Sequence, residues 1–140
     1  MTTTPGLAEI ASDLAAWLAD QPLAELPPVF RVRLTNPVGL APLDVDLQLW
    51  GDGDELAGLA AWAEHLNTTV TVARRSTYVE AVIRTQTLGG HGIALWDHLG
   101  HAAQNALLGC DLYLPAAKDD TPAVLTASQL RDVIARRDRR

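Results

Sequence analysis

The sequence predicts an α+β fold of two layers: a mostly antiparallel, five-stranded sheet in the order β-β-α-β-β-β, with one helix before it and one after it. Three observations predict it. Apolar residues recur at every second position in 30–34, in 43–49 and in stretches between 69 and 99. They recur at helical spacing in 7–18, 56–66 and 130–134. Cap and turn residues, among them Pro27-Pro28, Asn67 and Gly89-Gly90, stand between these segments. The 140 residues read as a single domain, with an N-terminal helix and connector at 1–28, an α+β core at 29–99 and a C-terminal extension with a helix at 100–140.

The first helix has Thr4 as its N-cap and Pro5 at its first helical position. Leu7, Ile10, Ala11, Leu14, Trp17 and Leu18 form one face, and "DQP" at 20–22 ends it. A hairpin follows the proline pair. In "FRVRLT" and "LDVDLQLW" each strand has one apolar and one charged face. Setting Thr35 opposite Pro42 places Arg33 against Asp44 and Arg31 against Asp46, a structural use for four charges. The second helix begins at "DGDELAGLAAWAEHLN", where Asp52 and Glu55 have capping-box spacing. Leu56, Leu59, Ala60, Ala63 and Leu66 form its buried stripe, Trp62 lies at the stripe's edge and Asn67 is the stop.

Two strands joined near Arg75-Ser76 come next, then a third after Gly89-Gly90, taken as a two-residue hairpin loop. That loop sets Gln86 against Ile93, Ile83 against Trp96 and Ala81 against His98. One face then carries Val79, Ala81, Ile83, Ala94, Trp96 and His98. The other carries Val82, Arg84, Ile93, Leu95, Asp97 and Leu99. The second face is too apolar for bare water and calls for a terminal helix or a second subunit to cover it. Beyond Leu99, "HAAQNALLG" reads as a short helix ended by Gly109, "CDLYLP" as a brief extended piece and "AAKDDTPAV" as a linker. The last helix opens on a capping box of Thr126 and Gln129, with Leu130, Val133 and Ile134 as its apolar stripe. Short connections favour the strand order 2-1-3-4-5.

Composition excludes several classes. Hydrophobic residues make up 48% of the chain, which suits a packed core. No apolar run reaches the ~20 residues of a membrane helix. The N-terminus lacks the basic flank and apolar stretch of a signal peptide, so a cytoplasmic address is expected. Cys110 is the single cysteine, which rules out an internal disulfide and a Cys-x-x-Cys site. The net charge is −6, and the last ten residues carry five Arg against two Asp, leaving the body more acidic still. An acidic body makes a nucleic-acid partner unexpected.

Three of the four histidines fall in "HGIALWDHLGHAAQ" at 91–104. His91 and His98 are seven residues apart on one strand, roughly 23 Å, which is too far to share a metal. His98 and His101 are close enough to meet if "HLGH" is a helical turn, with Asp97 to orient one of them. Asp97, His98 and His101 are therefore the candidate ligand or metal residues, short of a full zinc set, and no metal or other cofactor is expected. No residue is nominated as catalytic. The three serines lack a Gly-x-Ser-x-Gly setting, "LGGHG" matches no phosphate-binding loop, and Asp52, Asp54 and Glu55 fail the calcium-loop spacing. Asp97 with Arg84 reads as a structural cross-strand pair. Trp50, Trp62, Ile93 and Leu95 are the candidate interface residues, since Trp is enriched where proteins meet.

"LAGLAAWAEHL" followed by "TVTV", then "GIALWDHL" after the glycine pair, resembles small uncharacterised proteins of actinobacteria and their mobile elements. The resemblance spans roughly 43–99. It implies no known activity and so transfers no site residue.

The expected function is a non-catalytic binding or adaptor module that acts through protein–protein contacts, with itself as a homodimer or with another protein. The alternatives are a small enzyme or metal-dependent ligand binder centred on Asp97, His98 and His101, and a nucleic-acid accessory protein using the basic C-terminal tail.

Overall fold

The computed structural model describes residues 6–34, 45–50, 54–110 and 121–139. Along the chain these form α1 (Leu7–Ala19), β1 (Val29–Leu34), β2 (Val45–Leu49), α2 (Glu55–Leu66), β3 (Thr69–Arg74), β4 (Val79–Gln86), β5 (Gly92–His98), α3 (His101–Leu108), β6 (Ala123–Thr126) and α4 (Ala127–Asp138). The class is α+β. The described residues hold four helices and one six-stranded mixed sheet in the order β1-β2-β5-β4-β3-β6.

This order corrects the expected 2-1-3-4-5. β1 does not touch β3. Instead β2 pairs in parallel with β5, with Val45 beside Ile93 and Leu47 beside Leu95. The length of α2 supplies the reason. Its 12 residues run about 18 Å, enough to cross the roughly 14 Å of three strand spacings. β3 is therefore delivered to the far side, and the β3–β4–β5 meander returns to the free edge of β2. The arginine-bearing β1 is left at the sheet edge, where charge discourages unwanted pairing. The sixth strand was not expected either. Ala123–Thr126, which begins in the last two residues of the expected linker and runs on to the expected cap, pairs antiparallel with β3 before Thr126 caps α4. Four residues are too few for period-two alternation to register.

Two registers also differ from expectation. In the β1–β2 hairpin Arg33 faces Asp46 and Leu34 faces Val45. That is a shift of two, which keeps Arg31 to Leu34 on their expected faces, so the apolar pattern there does not distinguish the two registers. A break in register between Val29 and Arg31 places Val29, not Phe30, beside Leu49. Thr35, Pro42 and Asp44 lie outside the described residues. Between β4 and β5 the slip is one residue, and it changes the faces. Ile83 faces Leu95, Val82 faces Trp96 and Glu80 faces His98. The loop has three residues, not two. The Thr87 amide bonds the His91 carbonyl at 2.9 Å, the Gly90 amide bonds the Thr87 carbonyl at 3.0 Å, and Gly90 adopts φ +86°. A turn followed by one left-handed glycine is the usual three-residue hairpin, and it moves the register by one.

The result is one apolar face and one polar face. Val45, Leu47, Leu49, Val70, Val72, Val79, Ala81, Ile83, Ile93 and Leu95 are buried in one core cluster with Ile10, Leu14 and Trp17 of α1, Leu56 and Leu59 of α2, and Leu130 and Val133 of α4. The apolar face is thus covered by the chain's own helices. Trp62, expected at a helix margin, is fully buried. It stacks on Trp17 at 6.2 Å and donates its indole N–H to the Pro27 carbonyl at 3.1 Å.

Helix ends follow local chemistry, with two corrections. α1 is capped by Gly6 with no side-chain bond, and Thr4 and Pro5 lie outside the described residues. α2 is capped by Asp54, whose Oδ1 accepts the Ala57 amide at 3.2 Å. Asp52 also lies outside the described residues. Asn67 closes α2 in the left-handed conformation. The Thr126–Gln129 capping box forms as expected, and α3 ends at Gly109.

Candidate functional site

Among the described residues, helices cover one side of the sheet and leave the other side as the open surface. The hydrogen-bonded rows across it are set by the register: Arg31, Gln48, Trp96, Val82 and Thr71 in one row, and Arg33, Asp46, Ala94 and Arg84 in the next. A shallow hollow of about 400 Å³ lies here, and its walls include Arg31, Arg33, Tyr78, Arg84, Trp96 and His98. His98 sits between two rings, 4.4 Å from Tyr78 and 5.0 Å from Trp96.

The charges on this face are unequal. Asp46 and Glu80 are already engaged. Arg33 reaches Asp46 at 2.8 Å, and Arg75, from the end of β3, reaches Glu80 at 2.6 Å. Arg31 and Arg84 have no ion pair among the described residues, and both are exposed. Arg31 lies 5.9 Å from the Phe30 ring. An acidic chain thus presents a cationic, aromatic sheet face.

A second hollow, of about 260 Å³, opens at the C-terminal ends of the parallel pair β2 and β5. Ligand sites favour this position because loops and helix starts converge there. Gln48, Trp50, Glu55, Asp97 and His98 line it together with Phe30. Asp97 retains 9% exposure and points to the helix side of the sheet. Burial pushes its carboxyl up to about 6, and the neighbouring Glu55 adds to the rise, although the His98 amide donates to it at 2.9 Å. Glu55 itself accepts the Gly100 amide at 2.6 Å. Trp50 and Phe30 form a tilted pair at 5.0 Å, each about half exposed.

The sequence-predicted residues separate as follows. Asp97 and His98 meet at the second hollow, with His98 shared by both hollows. His101 opens α3 as an exposed residue and lines neither of them. No cluster of three metal-ligating side chains exists among the described residues. Arg84 and Asp97 lie on opposite faces, so they do not form the expected cross-strand pair. Of the interface candidates, Trp50 is exposed, but Trp62, Ile93 and Leu95 are at 0% exposure and belong to the core, which corrects their assignment to a surface. His91 is held elsewhere, with Nδ1 2.6 Å from Asp13 Oδ2.

The described C-terminal arginines are likewise occupied within the chain. Arg137 grips both carboxylate oxygens of Asp54 at 2.9 and 3.0 Å, Arg131 reaches Glu64 at 2.5 Å, Arg136 reaches Asp132 at 3.1 Å, and Arg139 donates to the Ala135 carbonyl at 3.2 Å. Tyr78, Arg31 and Gln48 were missed by sequence reasoning. The alternation that places Arg31 and Gln48 on the charged face was visible, but the parallel β2–β5 pairing that brings them beside Trp96 was not.

Comparison with protein-family models, with curated proteins and with solved structures found no match. No described helix is long and apolar enough to cross a membrane.

Proposed function

We propose that this chain is a non-catalytic binding module that takes an acidic, extended segment of another protein across its open sheet face. One observation carries this reading: Arg31 and Arg84, both exposed and without an acidic partner among the described residues, flank Trp96 on a chain whose net charge is −6. Complementary charge steers encounter and fixes register, while aromatic faces supply contact area. A peptide fits better than a nucleic acid. Arg33 and Arg75 are spent on Asp46 and Glu80, so the described face has few cations left for a run of phosphates, whereas a peptide offers amides and side chains of both polarities. Ile93 and Leu95, part of the face expected to call for a terminal helix or a second subunit, are buried within the chain itself and so lend a homodimer no support.

The test is fluorescence anisotropy with a labelled peptide of alternating Asp and Val, against a labelled ten-residue oligothymidylate of similar charge. Preferential peptide binding, lost in R31E/R84E, supports the reading. Tighter binding of the oligonucleotide, or peptide binding unchanged in the double variant, overturns it.

A further inference from the structure

We propose that the hollow at the ends of β2 and β5 is a binding site for an organic cation of the guanidinium or alkylammonium class. The walls supply acceptors without a donor of matching charge. Asp97 is nine-tenths buried, and its one hydrogen bond among the described residues is to the amide of the following residue. Glu55 brings a second carboxylate from α2. Gln48, which lines both this hollow and the one beside Arg31 and Arg33, has a buried Oε1 with no hydrogen-bond partner among the described residues. A buried acceptor left unpaired is costly and uncommon, so it marks a place where a donor is missing.

The described lining holds no Lys or Arg; Arg31 stands beside it, 5.9 Å from the Phe30 ring, on the other hollow that Gln48 lines, and Arg137 is committed to Asp54. Phe30 and Trp50 present half-exposed rings at the mouth. Aromatic faces attract cations, and a planar guanidinium or an ammonium donates to carboxylate and amide oxygens at once. A volume of about 260 Å³ admits such a head group with a few methylenes. An anion would meet two carboxylates, and an uncharged apolar group would leave Gln48 and Asp97 unpaired.

The groups facing Asp97 set its pH behaviour. Glu55 across the hollow raises its affinity for a proton, His98 is its chain neighbour, and the Asp54–Arg137 pair stands at the start of α2. A bound cation competes with that proton, so binding should weaken as pH falls through about 6.

The experiment titrates n-propylguanidinium at pH 7.5 into ¹⁵N-labelled protein and follows the Trp50 indole resonance. Neutral n-propylurea is the shape control, and calcium and magnesium chloride are separate arms. A saturable shift with the cation, absent with the urea, at least tenfold weaker in D97N and weaker again at pH 5, supports the site. Equal response to urea and cation, unchanged binding in D97N, or stronger competition by calcium or magnesium than by a second organic cation overturns it. D97N removes a buried charge and so should remain folded, which thermal denaturation checks, and E55Q serves as a second variant. R84E, outside the hollow's described lining, should bind propylguanidinium as the wild type does while weakening the peptide, so this proposal and the peptide reading fail separately. An acetyl-Gly-Arg-Gly-amide arm distinguishes sources. Tighter binding of the peptide than of propylguanidinium points to a protein side chain and the reverse order to a small amine, and either order supports the site.

Discussion

His91 and Asp13, 78 positions apart in sequence, meet with Nδ1 2.6 Å from Oδ2 and fasten α1 to the β4–β5 turn. Asp13 also accepts the Thr87 hydroxyl and the Gly89 amide. These bonds, led by Thr87 and then His91, hold the Asp13 carboxyl below its ordinary value of 3.8. A depressed carboxylate stabilises the fold above its unfolded value and loses that contribution as pH falls through the folded value. Acid titration by circular dichroism should therefore show wild-type stability falling below about pH 4, with a shallower fall in D13N. Equal slopes would remove the clasp from the energetics.

Two neighbouring glycines should respond differently. A Cβ on Gly89 would lie 2.6 Å from Asp13 Oδ2, so G89A should displace the carboxylate and reproduce the D13N acid profile. Gly90 has open space but φ +86°, so G90A should cost about 1 kcal/mol through backbone strain alone. Its acid profile should stay wild-type. Urea denaturation at pH 7 and pH 4 separates the two.

Asp97 carries the opposite sign. Its folded value, raised to about 6 chiefly by burial, means that the native state holds the proton more tightly than the unfolded chain does. Its contribution should be most favourable near pH 4, decline as pH rises to 6 and stay unfavourable above that. D97N should flatten that segment of the profile and add up to about 3 kcal/mol at pH 8. Denaturation midpoints at pH 5 and pH 8 decide it. A variant less stable than wild type at pH 8 would show that the charge is compensated.

Ile93 and Leu95 report whether the helix-covered face is the core. Each is at 0% exposure, so L95A should cost about 2–5 kcal/mol. Leu88, on the hairpin loop at 88% exposure, should tolerate Ala within about 0.5 kcal/mol. Equal, small losses would return Leu95 to a surface.

How much of this was legible in sequence depended on whether the physics was local. Most of the helix stripes, the Asn67 stop and the Thr126–Gln129 box depend on residues within a turn or two of one another and match the structure, whereas Trp62 is buried and not marginal and Leu7 is exposed. The β4–β5 register turned on whether one glycine or two adopt positive φ. Both loops use the same letters, and the one-residue difference sent Ile93 and Leu95 inward and Trp96 and His98 outward relative to the faces of β4. The β2–β5 pairing depends on where α2 comes to rest, which no local pattern encodes. Asp97 and His98 could thus be singled out from composition, but their companions Glu55, Gln48 and Trp50 emerge only once two distant strands lie side by side.

The most direct measurement of the central claim is a ¹H–¹⁵N chemical-shift map of the chain with the alternating Asp–Val peptide. The expected result is saturable perturbation of the Trp96 indole and the Arg31 and Arg84 side chains, with Leu59 and Ala60 in α2 unmoved. Perturbation confined to the helix layer, or to the arginines of α4, would contradict it.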